Sequence, residues 1–342
     1  MFGKLVTPVV STVEARRGLF AAGALGIALL ANLGAAHSAG EGAFPQDNIR
    51  LVVPYSPGGH TDLTTRLIAE GLTKQLKRNV IVENRAGATG SIGLKSVATS
   101  KPDGYTLGIA GTSNFILHPL LREQPPYDPQ QDFSLINVPM TVAFVLVVAD
   151  SSPFRTAQDL VEHAKANPDS LTYASSGIGG VHHVATEYFN QQAGIKTRNI
   201  PYKGGSENVT ALRGGHVDFM IEALSSILPQ IEAGAVRALA VTPGNRVAHL
   251  PDVPTIRETG VAGDYEFAAF SGIVGPANLP EPVKKTLSKA VMDALQTPEM
   301  SEGLSRLGTE VAGVGEAEFR ERLKRDIALW SGLIERSGIP KQ

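Results

Sequence analysis

The residues from Leu51 to Asp62 join a short apolar run to a proline- and glycine-rich turn and then to a helical pattern. This order predicts a strand, a tight loop and a helix N-terminus whose free N–H groups point into the loop. Gly58 and Gly59 leave the backbone open to a ligand. Because helix N-termini favour negative charge, we interpret the loop Ser56–Asp62 as a site for an anion, most simply a carboxylate. The alternative is an ordinary turn between a strand and a helix.

A second glycine-rich loop, Ser175–Gly180, also follows a strand pattern and precedes a helix pattern. It offers the hydroxyls of two serines together with three glycines. The turn Lys203–Ser206 and the polar residues Thr112–Asn114 add candidate donors after other predicted strands. Asp218 ends a further turn, where its carboxylate would orient a loop or accept from a ligand amine, with a plain turn acid as the alternative. Two helix N-termini across a cleft suit a ligand with an anionic group at one or both ends.

Motifs typical of enzymes are missing from the sequence. It has no Gly-x-Ser-x-Gly elbow, no Walker loop and no Gly-x-Gly-x-x-Gly after a strand. His183 and Glu187 lie four residues apart on a predicted helix, but no third ligand is evident, so no metal is expected. The chain has no cysteine, which excludes disulfides and thiolate metal sites. The polar residues suit the holding of a ligand, so we expect neither catalysis nor a cofactor.

The elements that must position these loops alternate between strand and helix patterns. Strands are predicted at Ile49–Tyr55, Val80–Asn84 and Tyr105–Ala110, with helices at Thr61–Lys77 and Ser91–Ser100. This βαβαβ order is typical of a mostly parallel sheet covered by helices. Ligands of such sheets bind outside the carboxyl ends of the strands, which is where the glycine-rich turns fall.

The chain of 342 residues is longer than one hydrophobic core usually serves, so two lobes are expected. Apolar strands at Val142–Ala149 and Phe267–Val274 are predicted to carry the chain between them. Lobe 1 would comprise residues 39–143 and 268–342, and lobe 2 residues 144–267. The C-terminal helices, Glu281–Leu295 and Glu316–Arg336, are expected to pack on lobe 1.

Residues 1–38 have the features of an export signal. Arg16 and Arg17 precede an apolar run, and small residues at Ala36 and Ser38 predict cleavage before Ala39. The arginine pair leaves general secretion and the twin-arginine route both open. An uncleaved anchor is less favoured, because the apolar core is shorter than the roughly 20 residues that span a bilayer. We expect a soluble periplasmic monomer that does not bind nucleic acid, because no basic block stands out.

The motif order resembles one receptor family over nearly the whole mature sequence. The motifs that carry the resemblance are Pro54–Asp62, Val82–Gly87, Pro102–Leu107, Tyr173–Gly177, Pro201–Gly204, Gly214–Asp218, Leu239–Thr242 and Leu250–Thr255. They are similar to those of the periplasmic substrate-binding receptors of tripartite tricarboxylate transporters, the Bug-type receptors.

The resemblance implies a two-lobed, periplasmic-binding-protein-like α/β fold of type II, a Venus flytrap that closes on a small organic carboxylate in the cleft between its lobes. It also implies delivery of the ligand to integral membrane permease subunits. A ligand-sensing co-receptor for a signalling partner and a periplasmic enzyme on the same scaffold remain alternatives. The candidate ligand-binding residues are Tyr55, Ser56, Pro57, Gly58, Gly59, His60, Asp62, Thr112, Ser113, Ser175, Ser176, Gly177, Gly179, His182, Tyr202, Lys203, Gly204 and Asp218.

Two residues depart from the family pattern. His60 stands where a small residue is usual, and it would either contact the ligand, adding charge if it is cationic, or point to solvent. Phe270 stands where many members have Trp, which would alter packing at the hinge. Both departures leave the identity of the ligand undetermined, and neither affects the resemblance to the family.

Overall fold

One strand of 17 residues, Phe133–Ala149, runs through both halves of the fold. Its first part, up to Ala143, pairs antiparallel with Ala268–Pro276. Its second part, from Phe144 onwards, pairs antiparallel with Phe219–Ala223. The strand therefore changes partners between two consecutive residues, and this change divides the two-lobed α/β fold into its halves.

The computed structural model describes residues 2–3, 44–202, 204–337 and 339–341. The chain divides into the units Met1–Phe44 and Pro45–Gln342, and all elements named here belong to the second. The described strands are β1 Ile49–Val53, β2 Val80–Asn84, β3 Thr106–Gly111, β4 Phe133–Ala149, β5 Thr172–Ser175, β6 Arg198–Pro201, β7 Phe219–Ala223, β8 Val236–Val241, β9 Ala268–Pro276 and β10 Glu310–Val314.

The described α-helices are α1 His60–Leu76, α2 Ser91–Ala98, α3 His118–Leu120, α4 Ala157–Ala166, α5 Val181–Ala193, α6 Gly205–Arg213, α7 Leu224–Glu232, α8 Ile256–Thr259, α9 Glu281–Leu295, α10 Pro298–Arg306 and α11 Glu316–Ser337. A π-helical segment, Thr112–Leu117, leads into α3. Apart from Phe2 and Gly3, the predicted export signal lies outside the described residues, as does Lys203.

The strand order is β2-β1-β3-β9-β4-β7-β5-β6, and β8 and β10 also pair with β4. The outer strands pair in parallel, β1 with β2 and β3, and β5 with β6 and β7. The central strands β9 and β4 pair antiparallel with each other and with their other neighbours. The expectation of a mostly parallel sheet is therefore wrong at the centre, because the strands that carry the chain between the halves run against the βαβ units.

Backbone and hydroxyl hydrogen bonds of Thr242 join the strands where the chain crosses. Its N–H donates to the Phe144 carbonyl at 2.9 Å, and its hydroxyl donates to the Phe267 carbonyl at 2.7 Å. The rings of Phe144 and Phe267 pack edge to face with centroids 5.0 Å apart. Thr242 is fully buried, so these bonds are shielded from water and hold the crossing in register.

The last helix, α11, contacts β4 and also α5 of the second half. Trp330 of α11 packs edge to face on Tyr188 of α5 at 5.8 Å, and Arg336 donates to Gln191 at 3.2 Å. The prediction that both C-terminal helices pack on lobe 1 is therefore incomplete, since α11 also bridges to lobe 2. A wide apolar face lets one long helix cover both halves.

Several elements begin where the sequence predicts them, and Val80–Asn84 and Glu281–Leu295 match without change. The strand β4 begins nine residues before the predicted Val142. The prediction missed this first part because polar side chains such as Asn137 interrupt the apolar run. Helices α7 and α10 and strand β10 have no counterpart in the prediction. Pro229 inside α7 breaks the helical pattern on which such a prediction depends.

Among the described helices we find none that combines the length and the hydrophobicity needed to cross a membrane.

The close packing of Gly272 in β9 against the Phe319 ring can be tested by measuring stability. A Cβ on Gly272 would lie 2.5 Å from Cζ of the fully buried Phe319 ring. We expect Gly272→Ala to lower the free energy of unfolding by about 1–3 kcal/mol, because the core cannot accept the methyl group without moving the ring. Chemical denaturation measures the change. Gly315→Ala is the control, since no heavy atom lies within 4 Å of its new Cβ, and equal stability of the two variants would contradict the packing argument.

Candidate functional site

Two adjoining cavities lie just beyond the carboxyl ends of β1, β3 and β5, at Tyr55, Ser113 and Ser176. The loop cavity, about 450 Å³, is lined by Tyr55, Thr89, Ser113, His118, Leu121, Arg122, Ser176 and Ile178 to His182. The hinge cavity, about 250 Å³, is lined by Tyr55, His60, Thr61, Ile109, Gly111 to Asn114, Val142, Phe144, Val181, His182, Gly205, Glu222, Ala223, Ser226 and Ala269 to Ser271. The walls shared by the two cavities are Tyr55, Ser113, Val181 and His182. Both halves of the fold therefore contribute to one region of the size of a small organic molecule.

The first glycine-rich turn is shaped by a buried carboxylate of its own. Asp62 accepts from the Gly58 N–H at 2.9 Å, from Asn84 Nδ2 at 2.9 Å and from Arg66 Nε at 3.0 Å. These donors occupy the carboxylate, which lines neither cavity. Ser56, Pro57, Gly58 and Gly59 are exposed and also lie outside both cavity walls, whereas the flanking Tyr55 and His60 lie within them.

The hydrogen bond from Arg66, joined by those from Gly58 and Asn84, lowers the pKa of Asp62 from 3.8 to about 2, against the opposing effect of burial. Asp62 therefore stays ionised throughout the physiological range. A negative charge in the first turn of α1 is favourable, because it faces the positive end of the helix dipole.

The imidazole of His60 lines the hinge cavity and lies in hydrogen-bond contact with Thr309 Oγ1, 3.1 Å from Nε2. Burial lowers the pKa of His60 below 6.5. The ring is therefore neutral at pH 7, which disfavours the alternative in which it adds positive charge.

The second glycine-rich turn depends on backbone conformations that only glycine adopts easily. Gly177 and Gly179 have φ values of 96° and 76°. A Cβ on Gly179 would lie 2.5 Å from Cδ1 of Leu121, which belongs to the other half. The Gly179 N–H donates to His183 Nδ1 at 2.9 Å, so His183 holds the loop and does not face the cavities. Ser175 is fully buried beneath the turn, and Ser176 reaches the loop cavity.

Ser176, His182 and Glu222 form a hydrogen-bonded chain at the junction of the two cavities. Ser176 Oγ contacts His182 Nδ1, and His182 Nε2 lies 2.8 Å from Glu222 Oε1. Glu222 also accepts from Asn208 Nδ2 at 3.1 Å and from the Ala223 N–H at 3.0 Å. Burial alone would raise the pKa of Glu222, but the His182 charge and these hydrogen bonds outweigh it and lower the pKa below 4.5. Glu222 is therefore a buried, ionised group.

The polar residues after β3 lie in the π-helical segment, a distortion that often occurs at functional sites. Thr112 Oγ1 accepts from the Phe270 N–H at 3.2 Å, which links this segment to β9. Asn114 Oδ1 accepts from the Gly111 N–H at 2.6 Å. Ser113 lines both cavities together with Tyr55. This agrees with the prediction that the site lies at the carboxyl ends of the strands.

The remaining candidates lie away from the cavity walls. Tyr202 donates its N–H to the Ser175 carbonyl at 2.8 Å. Asp218 accepts from the N–H and hydroxyl of Thr172, at 2.7 and 2.8 Å, and so ties β5 to the turn that precedes β7. Gly204 lies outside both walls, but its neighbour Gly205 lines the hinge cavity, where a Cβ would meet Glu222 Oε1 at 3.2 Å.

Sequence reasoning missed several residues of the cavity walls, above all Glu222 and Arg122. Glu222 interrupts the apolar strand Phe219–Ala223, and an acid inside a buried strand is the signal that could have found it. Arg122 follows a short helix and carries no such signal. Among the described residues, no group of three or more His, Cys, Asp or Glu side chains could hold a metal ion.

Comparison with known proteins assigns the chain to a family. Residues 64–339 match the family model described as "Tripartite tricarboxylate transporter family receptor". The chain belongs to this family. It is 33% identical over 309 residues to the "UPF0065 protein in tcbD-tcbE intergenic region" of Pseudomonas sp. (strain P51), covering 90% of this chain and 92% of the relative. Its family and structural neighbours are solute-binding receptors.

Solved structures of periplasmic binding proteins share the fold of this receptor over most of its length. The structure of the periplasmic binding protein BugD has a TM-score of 0.71 and 32% identity, covering 87% of this chain and 100% of the other. Rpa4515 of R. palustris, solved with adipate, has a TM-score of 0.75 and 32% identity, with coverages of 87% and 99%. MatC (Rpa3494) from Rhodopseudomonas palustris, solved with bound malate, has a TM-score of 0.71 and 27% identity, with coverages of 85% and 100%.

The buried carboxylate beneath the first turn generates a pH test. Because the pKa of Asp62 is lowered on folding from 3.8 to about 2, its contribution is complete above pH 4 and is lost as the pH falls toward 2. We expect Asp62→Asn to lower the free energy of unfolding by about 1–2 kcal/mol at pH 7. The difference from the unmodified protein should shrink below pH 4. Denaturant titrations at pH 7 and pH 3 measure it.

The exposed Asp252→Asn is the matched control, and we expect it to change stability by less than about 0.5 kcal/mol at either pH. A stability difference for Asp62→Asn that is the same at both pH values would contradict the assignment.

Proposed function

We propose that this receptor binds a small organic carboxylate in the loop and hinge cavities and delivers it to integral membrane permease subunits. The observation that carries the proposal is the meeting of Tyr55, Ser113 and Ser176 in the wall of the loop cavity, each just beyond the end of a strand. Their hydroxyls are donors suited to a carboxylate. Burial raises the pKa of Tyr55 to about 12, so its hydroxyl keeps its proton at any physiological pH.

The charges around the cavities also favour an anion. Arg122 lines the loop cavity, and none of the described residues in that wall is acidic. Hydrogen bonds to a charged group contribute about 1.5–3 kcal/mol each. Micromolar affinity corresponds to about 8 kcal/mol. Four or five such bonds reach this value after the cost of ordering the ligand is subtracted.

The relatives with bound acids support the same ligand class. Two structural neighbours were solved with adipate and with malate, which are both dicarboxylates. We propose the class for this chain on the strength of the family and of the hydroxyl donors. The dimensions of the cavities suit an acid of that size.

We further propose that the cleft closes by movement of two lobes, residues 39–143 with 268–342 and residues 144–267. The exchange of strand partners between Ala143 and Phe144 supports the first boundary, and the start of β9 at Ala268 supports the second. The bonds of Thr242 would then form the hinge. Hinges of this kind absorb the backbone change of domain closure in a few residues at the ends of elements.

The family supports export to the periplasm, where we expect the receptor to act as a monomer. We infer that it binds its ligand without transforming it. Ser176 and Gly179, which line the loop cavity, then serve as ligand-holding groups, with the buried Ser175 and the positive-φ Gly177 shaping the loop.

A panel of organic acids tests the proposed ligand class. We expect at least one mono-, di- or tricarboxylate to raise the melting temperature of the purified protein, because a ligand that binds only the folded state stabilises it. The acid should be recovered unchanged. If no acid shifts the melting temperature, or if an acid is consumed, the proposed receptor function is wrong.

A serine substitution tests the site. We expect Ser176→Ala to weaken binding of the responding acid by roughly 10–100-fold, because one charge-assisted hydrogen bond is lost. Isothermal titration calorimetry measures the dissociation constant. The control is Ser301→Ala on the exposed face of α10, which should leave binding unchanged. Equal affinities of the two variants would remove Ser176 from the site.

A further inference from the structure

Glu222 is a carboxylate placed in the wall of a ligand cavity. Its exposure is 1%, and it lines the hinge cavity between Gly205 and Ala223. A buried carboxylate is costly unless it is paired and hydrogen-bonded. In a cavity that receives small organic acids, such a group has two possible cationic partners, a side chain of the protein or an ammonium group of the ligand.

In this protein the side chain beside Glu222 is the imidazole of His182. Its Nε2 lies 2.8 Å from Glu222 Oε1, and its side chain is 12% exposed. The ring is held in place by its other nitrogen, which contacts Ser176, and by the Phe144 ring, whose centroid lies 5.5 Å away. The carboxylate oxygen that a ligand ammonium would approach is therefore already occupied.

The other oxygen of Glu222 is also engaged. Asn208 donates to Oε2 at 3.1 Å, and Asn208 is fully buried in α6. The Ala223 N–H donates to Oε1 at 3.0 Å, so that oxygen has a second donor besides His182. Both oxygens of Glu222 thus accept hydrogen bonds from the protein, and a charged amine would have to displace one of these donors.

The rest of the cavity lining offers an ammonium group no other acid. Among the described residues of the two walls, Glu222 is the single carboxylate. Besides His182, the remaining titratable groups in the described walls are Tyr55, His60, His118 and Arg122. The environment is therefore neutral to positive, which favours carboxylates and disfavours amines.

We propose that His182 is a specificity-determining residue: it occupies the cation position beside Glu222, so the receptor selects carboxylates that lack an ammonium group. This inference rests on the proposed carboxylate-receptor function. The same ring positions the Ser176 hydroxyl at the junction of the cavities, so one side chain both excludes the amine and orients a donor for the acid.

Matched pairs of ligands test the proposal. Each acid that stabilises the protein is compared by calorimetry with its amino-substituted counterpart, for example succinate with aspartate or glutarate with glutamate. We expect the amino-substituted member to bind at least about tenfold more weakly, because its ammonium group finds no acceptor. Equal or tighter binding of the amino-substituted member would overturn the inference alone. If no acid binds, the proposed function fails instead.

Two variants separate charge from space. We expect His182→Ser, which exposes Glu222 to the ligand, to improve binding of the amino acid relative to its counterpart by tenfold or more. The double variant His182→Ser/Glu222→Gln has the same added space without the negative charge, and we expect it to show no such gain. A gain of equal size in both would trace the effect to space and overturn the charge argument. If either variant fails to fold, the comparison of ligand pairs on the unmodified protein still shows whether the receptor discriminates against an ammonium group.

Discussion

The antiparallel pairing of β4 with β9 is the constraint on which the rest of the structure depends. These strands hold the centre of the sheet, and the first continues into the other half, where it changes partners at Phe144. Each half places its strand–loop–helix units on either side of this centre, with the carboxyl ends of β1, β3 and β5 meeting at the cavities. The crossing is held by the buried hydrogen bonds of Thr242 and by the packed rings of Phe144 and Phe267. Because Phe144 also lines one of the cavities, the shape of that cavity depends on the geometry of the crossing.

Of two buried carboxylates, Asp62 lies outside the walls of both cavities and Glu222 lies in one of them. Asp62 is satisfied by Gly58, Asn84 and Arg66 and serves the shape of the first turn. Glu222 lies in a cavity wall, where its Oε1 is 2.8 Å from His182 Nε2. Both carboxylates meet the requirement that buried charges be paired. Only Glu222 lies in a cavity wall, where its charge contributes to the electrostatic potential inside the cavity.

The prediction of the fold from sequence succeeded where a segment carried a single clear period, as in Val80–Asn84 and Glu281–Leu295. It failed where local pattern and tertiary role differ. Polar residues near Asn137 interrupt the apolar pattern of the first half of β4, and Pro229 interrupts the helical pattern of α7, so neither was predicted. Strand direction was also predicted wrongly at the centre of the sheet, because pairing between strands far apart in the chain leaves no mark in the local pattern of either one.

The sequence by itself determined the strand–turn–helix units, the family and the three strand ends that meet at the cavities, because these depend on short-range spacing and on glycine and proline chemistry. Only the tertiary structure decided which residues of those turns line the cavities. It placed Ser56 to Gly59 outside the cavity walls and brought Glu222 and Arg122 into them. The physical reason is that a cavity is a property of surfaces brought together by folding. His182 and Glu222 are 40 residues apart in the chain, and their contact exists only when β7 and the start of α5 lie side by side.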